Sequence, residues 1–181
     1  GNVGIGVFFA AMERVNSGNG YKDFVYSSIN VVRRWIKIAK PMEVATLGIG
    51  GMSGVGSLIY GLASISSILG DNKLLKDAIR ANELVTERAI NEDNVLHIHG
   101  GSAGMVCALL ALFRATGDQK FLRKASICGH HLLARRQKIS NGLIGWKLES
   151  DGSAPTGFSR GTAGIAYALL SLYRETGESS F

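Results

Sequence analysis

Apolar residues fall into two alternating kinds of run. In the first kind almost every position is apolar: Met105 to Ala115 is charged only at Arg114, and Ile165 to Tyr173 departs only at Ser171. Such runs outlast a usual strand, so they predict helices, and a helix apolar on every side is buried on every side. In the second kind apolar residues recur on one helical face. Phe121, Ala125, Cys128 and Leu132 share such a face, with Arg123, Lys124 and His130 off it. Leu75, Ala78, Asn82 and Val85 repeat it one unit earlier, and Phe24, Ser28, Val31 and Trp35 give a weaker version near the start. The alternation predicts inner helices at about 5–16, 54–69, 104–116 and 164–176, and outer helices near 21–37, 72–90 and 118–137, each end within roughly 2–4 residues.

The runs share one punctuation. Gly1-Asn-Val-Gly4, Gly51-Met-Ser-Gly54, Gly101-Ser-Ala-Gly104 and Gly161-Thr-Ala-Gly164 align without gaps, their first glycines 50, 50 and 60 residues apart. Each apolar run ends near a glycine (Gly18, Gly70, Gly117, Gly177), a residue that tolerates the left-handed helix cap. An acidic residue follows the last three, as Asp71, Asp118 and Glu178. A fixed period of this length marks a repeat architecture. Buried inner and amphipathic outer helices favour an all-α fold, an incomplete α/α toroid of tandem helix-pair repeats. The glycine turns then gather at one end of the ring, where backbone without Cβ can approach a ligand and helix N-termini offer free N–H groups.

Composition narrows the function classes. Hydrophobic residues make up 46% and charged residues 19%, which excludes a disordered tail. The formal charge is +6, but Lys and Arg are scattered with no aromatic-interleaved stripe, so nucleic acid is not an expected partner. Val44 to Gly70 carries no charge and resembles a membrane span by hydropathy. Its seven glycines and five serines, and the arginines in its later counterparts, argue against one. Cys107 and Cys128 stand 21 residues apart with no CxxC and no histidine at ligand spacing. They read as buried free thiols of a reducing, cytoplasmic compartment, with no metal site.

The motifs resemble a family. Gly-Gly-Ser-Ala-Gly-Met (100–105) and Gly-Phe-Ser-Arg-Gly-Thr-Ala-Gly-Ile-Ala-Tyr-Ala-Leu-Leu (157–170) are similar to repeat motifs of the lanthionine synthetase C-like proteins. Trp146 with Pro155-Thr-Gly-Phe, and the segment 48–60, look most like the C-terminal cyclase domain of class II lanthipeptide synthetases. The resemblance implies that residues 1–181 are part of such a domain, truncated at both ends. It implies thioether (lanthionine) formation by addition of peptide Cys thiols to dehydroalanine or dehydrobutyrine. The implied partners are a precursor peptide and an N-terminal dehydratase domain of the full-length protein. The family's zinc is held by two cysteines and a following histidine in later repeats, so none is expected in this chain.

The same resemblance points to residues at the ring mouth. His97 stands where the family usually has an acidic residue, and Arg160 where it usually has His before Gly. Both are candidate catalytic positions. His97 titrates near neutral pH and suits acid or base work; Arg160 stays protonated and suits enolate or carboxylate binding. His99, Gly101 and Gly161 are candidate substrate-binding residues beside them. The bland readings are two loop histidines and a lineage change at Arg160. Asp93 lies too early in the chain for the acidic role without a loop shift. His130 reads as a surface residue, and Tyr60 and Tyr167 as core. Two rivals stay open: a non-catalytic relative that keeps a peptide-binding mouth, and a carbohydrate-active α/α-toroid enzyme. The latter needs paired carboxylates at the mouth.

Overall fold

The computed structural model describes residues 1–139, 142–148 and 152–181. In chain order its elements are α1 (Asn2–Val15), α2 (Tyr21–Ile38), a 3₁₀ turn (Pro41–Glu43), α3 (Val44–Leu47), α4 (Val55–Leu69), α5 (Asn72–Glu83), α6 (Glu87–Asn91), α7 (Ser102–Thr116), α8 (Gln119–Ala134), β1 (Gln137–Lys138), β2 (Ile144–Gly145) and α9 (Thr162–Thr176). The fold is an all-α helical repeat. Helices α1, α4, α7 and α9 form an inner row in that order, each packed on the next. Behind them α2, α5 and α8 form the outer row, each against its preceding inner helix.

The punctuation works as the sequence suggests. Gly70, Gly117 and Gly177 close α4, α7 and α9 in the left-handed conformation, with φ of 68°, 70° and 71°. The next residue starts the outer helix: Asp71 and Asp118 accept the backbone N–H of Lys73 and Lys120 at 2.8 and 2.9 Å, satisfying donors that a helix start leaves free. Helices α1, α7 and α9 begin one residue after the first glycine of their frame, earlier than the pattern predicts. Their second glycine therefore sits in the first turn. Helix α4 starts after Gly54, whose φ of 123° is incompatible with a helix.

Two outer helices depart from expectation. The predicted 72–90 helix breaks after Glu83, because consecutive Leu84 and Val85 both turn inward and Thr86 caps a new helix by accepting from Ala89 N at 3.2 Å. In α2 the buried face is Val25, Ile29 and Ile36, one position away from the predicted stripe. Phe24 and Val31 face outward; Phe24 instead stacks on Phe9, ring centroids 5.1 Å apart. Polar ties join the outer row. Arg33 Nε meets Asp77 Oδ2 at 2.6 Å between α2 and α5, and Lys124 of α8 donates to Asn82 O and Oδ1 of α5 at 2.9 and 3.0 Å.

Inner helices α4 and α7 have an inner neighbour on each side, whereas α1 and α9 each pack against one. Phe8 and Leu170 are accordingly more than half exposed, while Phe9 is half-buried. The open flank of an incomplete ring predicts Leu169 and Leu172 partly bare beside Leu170, but both are buried: α9 also packs against α8. The longer last interval is filled by a connection from 135 to 161 that carries the small antiparallel β1–β2 pair, Gln137 opposite Gly145. Trp146 anchors it by donating Nε1–H to Leu132 O at 2.7 Å. Among the described residues no helix is long and apolar enough to cross a membrane.

Candidate functional site at the glycine-loop mouth

The connections entering α4, α7 and α9 meet at one end of the inner row. Gly51 N donates to Ile98 O at 2.9 Å, Met52 and Ser53 N both donate to His99 O, and His99 N donates to Ser159 O at 2.8 Å. The glycines make this contact possible. A Cβ on Gly50 would fall on the Gly100 backbone, one on Gly104 on Ile98 O and Gly51 N, and one on Gly164 on Phe158 O. Their absent side chains let loop meet loop. Gly101 and Gly161, candidates for ligand contact, are buried beneath the mouth. A Cβ there would run into Leu96 and into Gly157, and the Gly101 N–H is already donated to His97 O.

His97 is buried in the 93–101 loop, and its Nδ1 accepts the Gly100 N–H at 3.2 Å. A neutral imidazole that accepts at Nδ1 carries its proton on Nε2. Burial holds its pKa below the ordinary 6.5, and the charges of His99 and Arg160 push the same way. His99 is half-buried beside it, ring centroids 6.2 Å apart, and Arg160 is exposed. The mouth thus brings His97, His99 and Arg160 together as a neutral imidazole, a second imidazole and a fixed positive charge.

Three supporting residues, Asp93, Ser102 and His131, hold the loop from below. Asp93 is buried, and its carboxylate accepts from Val95 N, Leu96 N, Ser102 N and Ser102 Oγ, the last at 2.6 Å. His131, on the outer helix α8, bonds Asp93 O through Nε2 at 2.8 Å. Together they clasp a loop in which Leu96 holds φ of 61°, the one positive φ outside glycine among the described residues. A left-handed β-unbranched residue persists only where its surroundings fix it. Asp93 is therefore spent on backbone and is not a free acid of the kind a glycosidase pair requires. His130 is exposed, as expected, near Glu178.

The implied zinc does not fit these residues. Cys128 is fully buried in α8 and Cys107 half-buried in α7, and burial pushes their thiols up to about 12 and about 11. Among the described residues no three His, Cys, Asp or Glu side chains form a group able to hold a metal.

The model of the lanthionine synthetase C-like protein family matches residues 1–181, the whole chain. This chain belongs to that family. In this lanthionine synthetase C-like protein the four glycine frames mark the repeat units.

Proposed function

We propose that this chain forms part of a lanthionine cyclase domain of the class II lanthipeptide synthetase type. It acts on a precursor peptide whose dehydro residues are made by an N-terminal dehydratase domain of the same protein. Family membership over the full chain carries the reading. The class II assignment rests on Trp146, Pro155 to Phe158 and the segment 48–60.

In the reaction a peptide thiolate adds to the β-carbon of dehydroalanine or dehydrobutyrine. The C=C electron pair moves onto the α-carbon and its carbonyl as an enolate, which then takes a proton at the α-carbon. No atoms are gained or lost. His97 suits one part of this path: its neutral Nε2–H donates to the enolate oxygen, a role a neutral imidazole fills where charge develops. Arg160, whose charge is felt at His97, adds a permanent positive charge at the same mouth. In both zinc coordination and thiol activation the two cysteines of this chain have no part. His99, Gly101 and Gly161 shape the floor on which the peptide lies.

The test is incubation of the full-length protein with a peptide bearing one Cys and one dehydroalanine. The expected outcome is loss of alkylatable thiol at unchanged mass, faster than in buffer. A second reading, a peptide-binding relative without catalysis, is favoured by Arg160, which cannot exchange a proton. It predicts bound peptide whose thiol persists.

A further inference from the structure

A separate cavity of ≈ 270 Å³ opens on the exposed side of α4, α7 and α9, below the mouth. Met52, Tyr60, Cys107, Arg114, Phe158 and Tyr167 line it. Met52, Tyr60, Phe158 and Tyr167 are each about half exposed, at 53%, 49%, 50% and 51%. Four large side chains from two repeat units are thus left partly bare around one hollow, where isolated exposed apolar residues are ordinary but a cluster marks binding. We propose that this cavity takes one aromatic side chain of a bound peptide, beside the residue that reacts.

Size, wall chemistry and polar handles agree on that occupant. A hollow of this size has room for a large side chain and none for a folded element. Phe158 and Tyr167 already meet edge to face, centroids 5.3 Å apart, and leave ring surface for a third aromatic. Ser159 Oγ holds the Met52 sulfur at 3.4 Å, placing a thioether on the wall, a group that favours aromatic rings. Arg114, the charged residue of the wall, is already paired with Glu175 at 2.7 Å. Among the described residues the Tyr60 and Tyr167 hydroxyls have no hydrogen-bond partner, and they are free to meet a peptide carbonyl at the rim. Ile98, between His97 and His99 in the chain, also lines the cavity, which links it to the mouth. The inference rests on the cyclase reading only for the peptide nature of the occupant.

The experiment is a ligand-observed NMR titration of the full-length protein with N-acetylphenylalanine amide, N-acetylalanine amide and N-acetylglutamate amide. The phenylalanine amide should bind at least about tenfold more tightly than either other amide. Cys107→Trp, which fills the hollow, should abolish that preference. The double variant Tyr60→Phe/Tyr167→Phe should weaken binding by about fivefold or more; it decides the matter if Cys107→Trp does not fold. Equal affinity for the three amides, or full affinity in the double variant, overturns the proposal. The titration reads binding without ring closure. A protein that closes thioether rings but ignores the aromatic amide refutes this inference alone; one that binds it but closes no rings refutes the cyclase reading alone.

Discussion

Gly4 and Gly104 hold the same place in their G-x-x-G frames and meet opposite surroundings. A Cβ on Gly4 has nothing within 4 Å, whereas one on Gly104 strikes the backbone of Ile98 and Gly51. Gly4→Ala should therefore stabilise the protein by up to about 1 kcal/mol through helix propensity. Gly104→Ala should cost about 3 kcal/mol, the upper range for overpacking against unyielding atoms; urea denaturation of the two variants checks both signs. His97 adds a pH dependence. Its folded pKa lies below 6.5, so between that lowered value and 6.5 the unfolded chain binds more protons. Stability should fall as pH drops through about 6.5, and His97→Gln should flatten that slope in denaturation curves taken at several pH values. The mouth histidines and Arg160 were legible because they sit in or beside glycine frames. The clasp that joins Asp93 to Ser102 and His131 was not, because its members stand 9 and 38 residues apart along the chain. Tyr60 and Tyr167 read as core but are half exposed, because the cavity they border is open.

The outer helices α5 and α8 are each fixed at their start and along their side. Asp71 caps α5 and also accepts the Tyr26 hydroxyl of α2 at 2.6 Å. That bond lowers the Asp71 pKa, while burial and then the Asp71 carboxylate raise Tyr26 to about 12. Asp71→Ala should cost about 1 kcal/mol from the lost cap. Tyr26→Phe should cost about 1 kcal/mol, discounted because the pair is partly exposed. The folded Tyr26 keeps its proton longer than the unfolded one, so its contribution is full below pH 10 and lost as pH rises from 10 toward about 12. Thermal melts of the single and double variants test the coupling. The inner helices and their glycine caps were readable from period and punctuation. The α5–α6 break was not, because Leu84 and Val85 fit the helical pattern and only packing shows both turning inward. The α2 register slipped because Phe24 and Val31 look like core residues and instead form surface contacts.

Among the described residues, α1 and α9 leave one flank each without an inner neighbour. Ile5, Phe8 and Leu170 lie at least half exposed there. Each such side chain forgoes roughly 1.5–3 kcal/mol of burial, comparable in sum to the net stability of a domain. The 181-residue chain alone should self-associate, or melt below ~65 °C as a monomer; light scattering with a thermal scan distinguishes these from a stable monomer, which would show the flanks to be tolerated. The order of the inner row followed from the repeat, but the concave cavity did not, since its walls come from positions that a one-dimensional pattern assigns to core. The proposed role of the mouth is to stabilise the enolate of thioether formation through His97. Its most direct test is the rate of ring closure by full-length protein on a dehydroalanine peptide, comparing His97→Phe and His97→Gln with the unmodified chain. The account predicts a loss of about 10²–10³ for His97→Phe at unchanged peptide affinity, with His97→Gln, whose amide still donates, retaining a larger part. A His97→Phe protein that closes rings at the unmodified rate would contradict it.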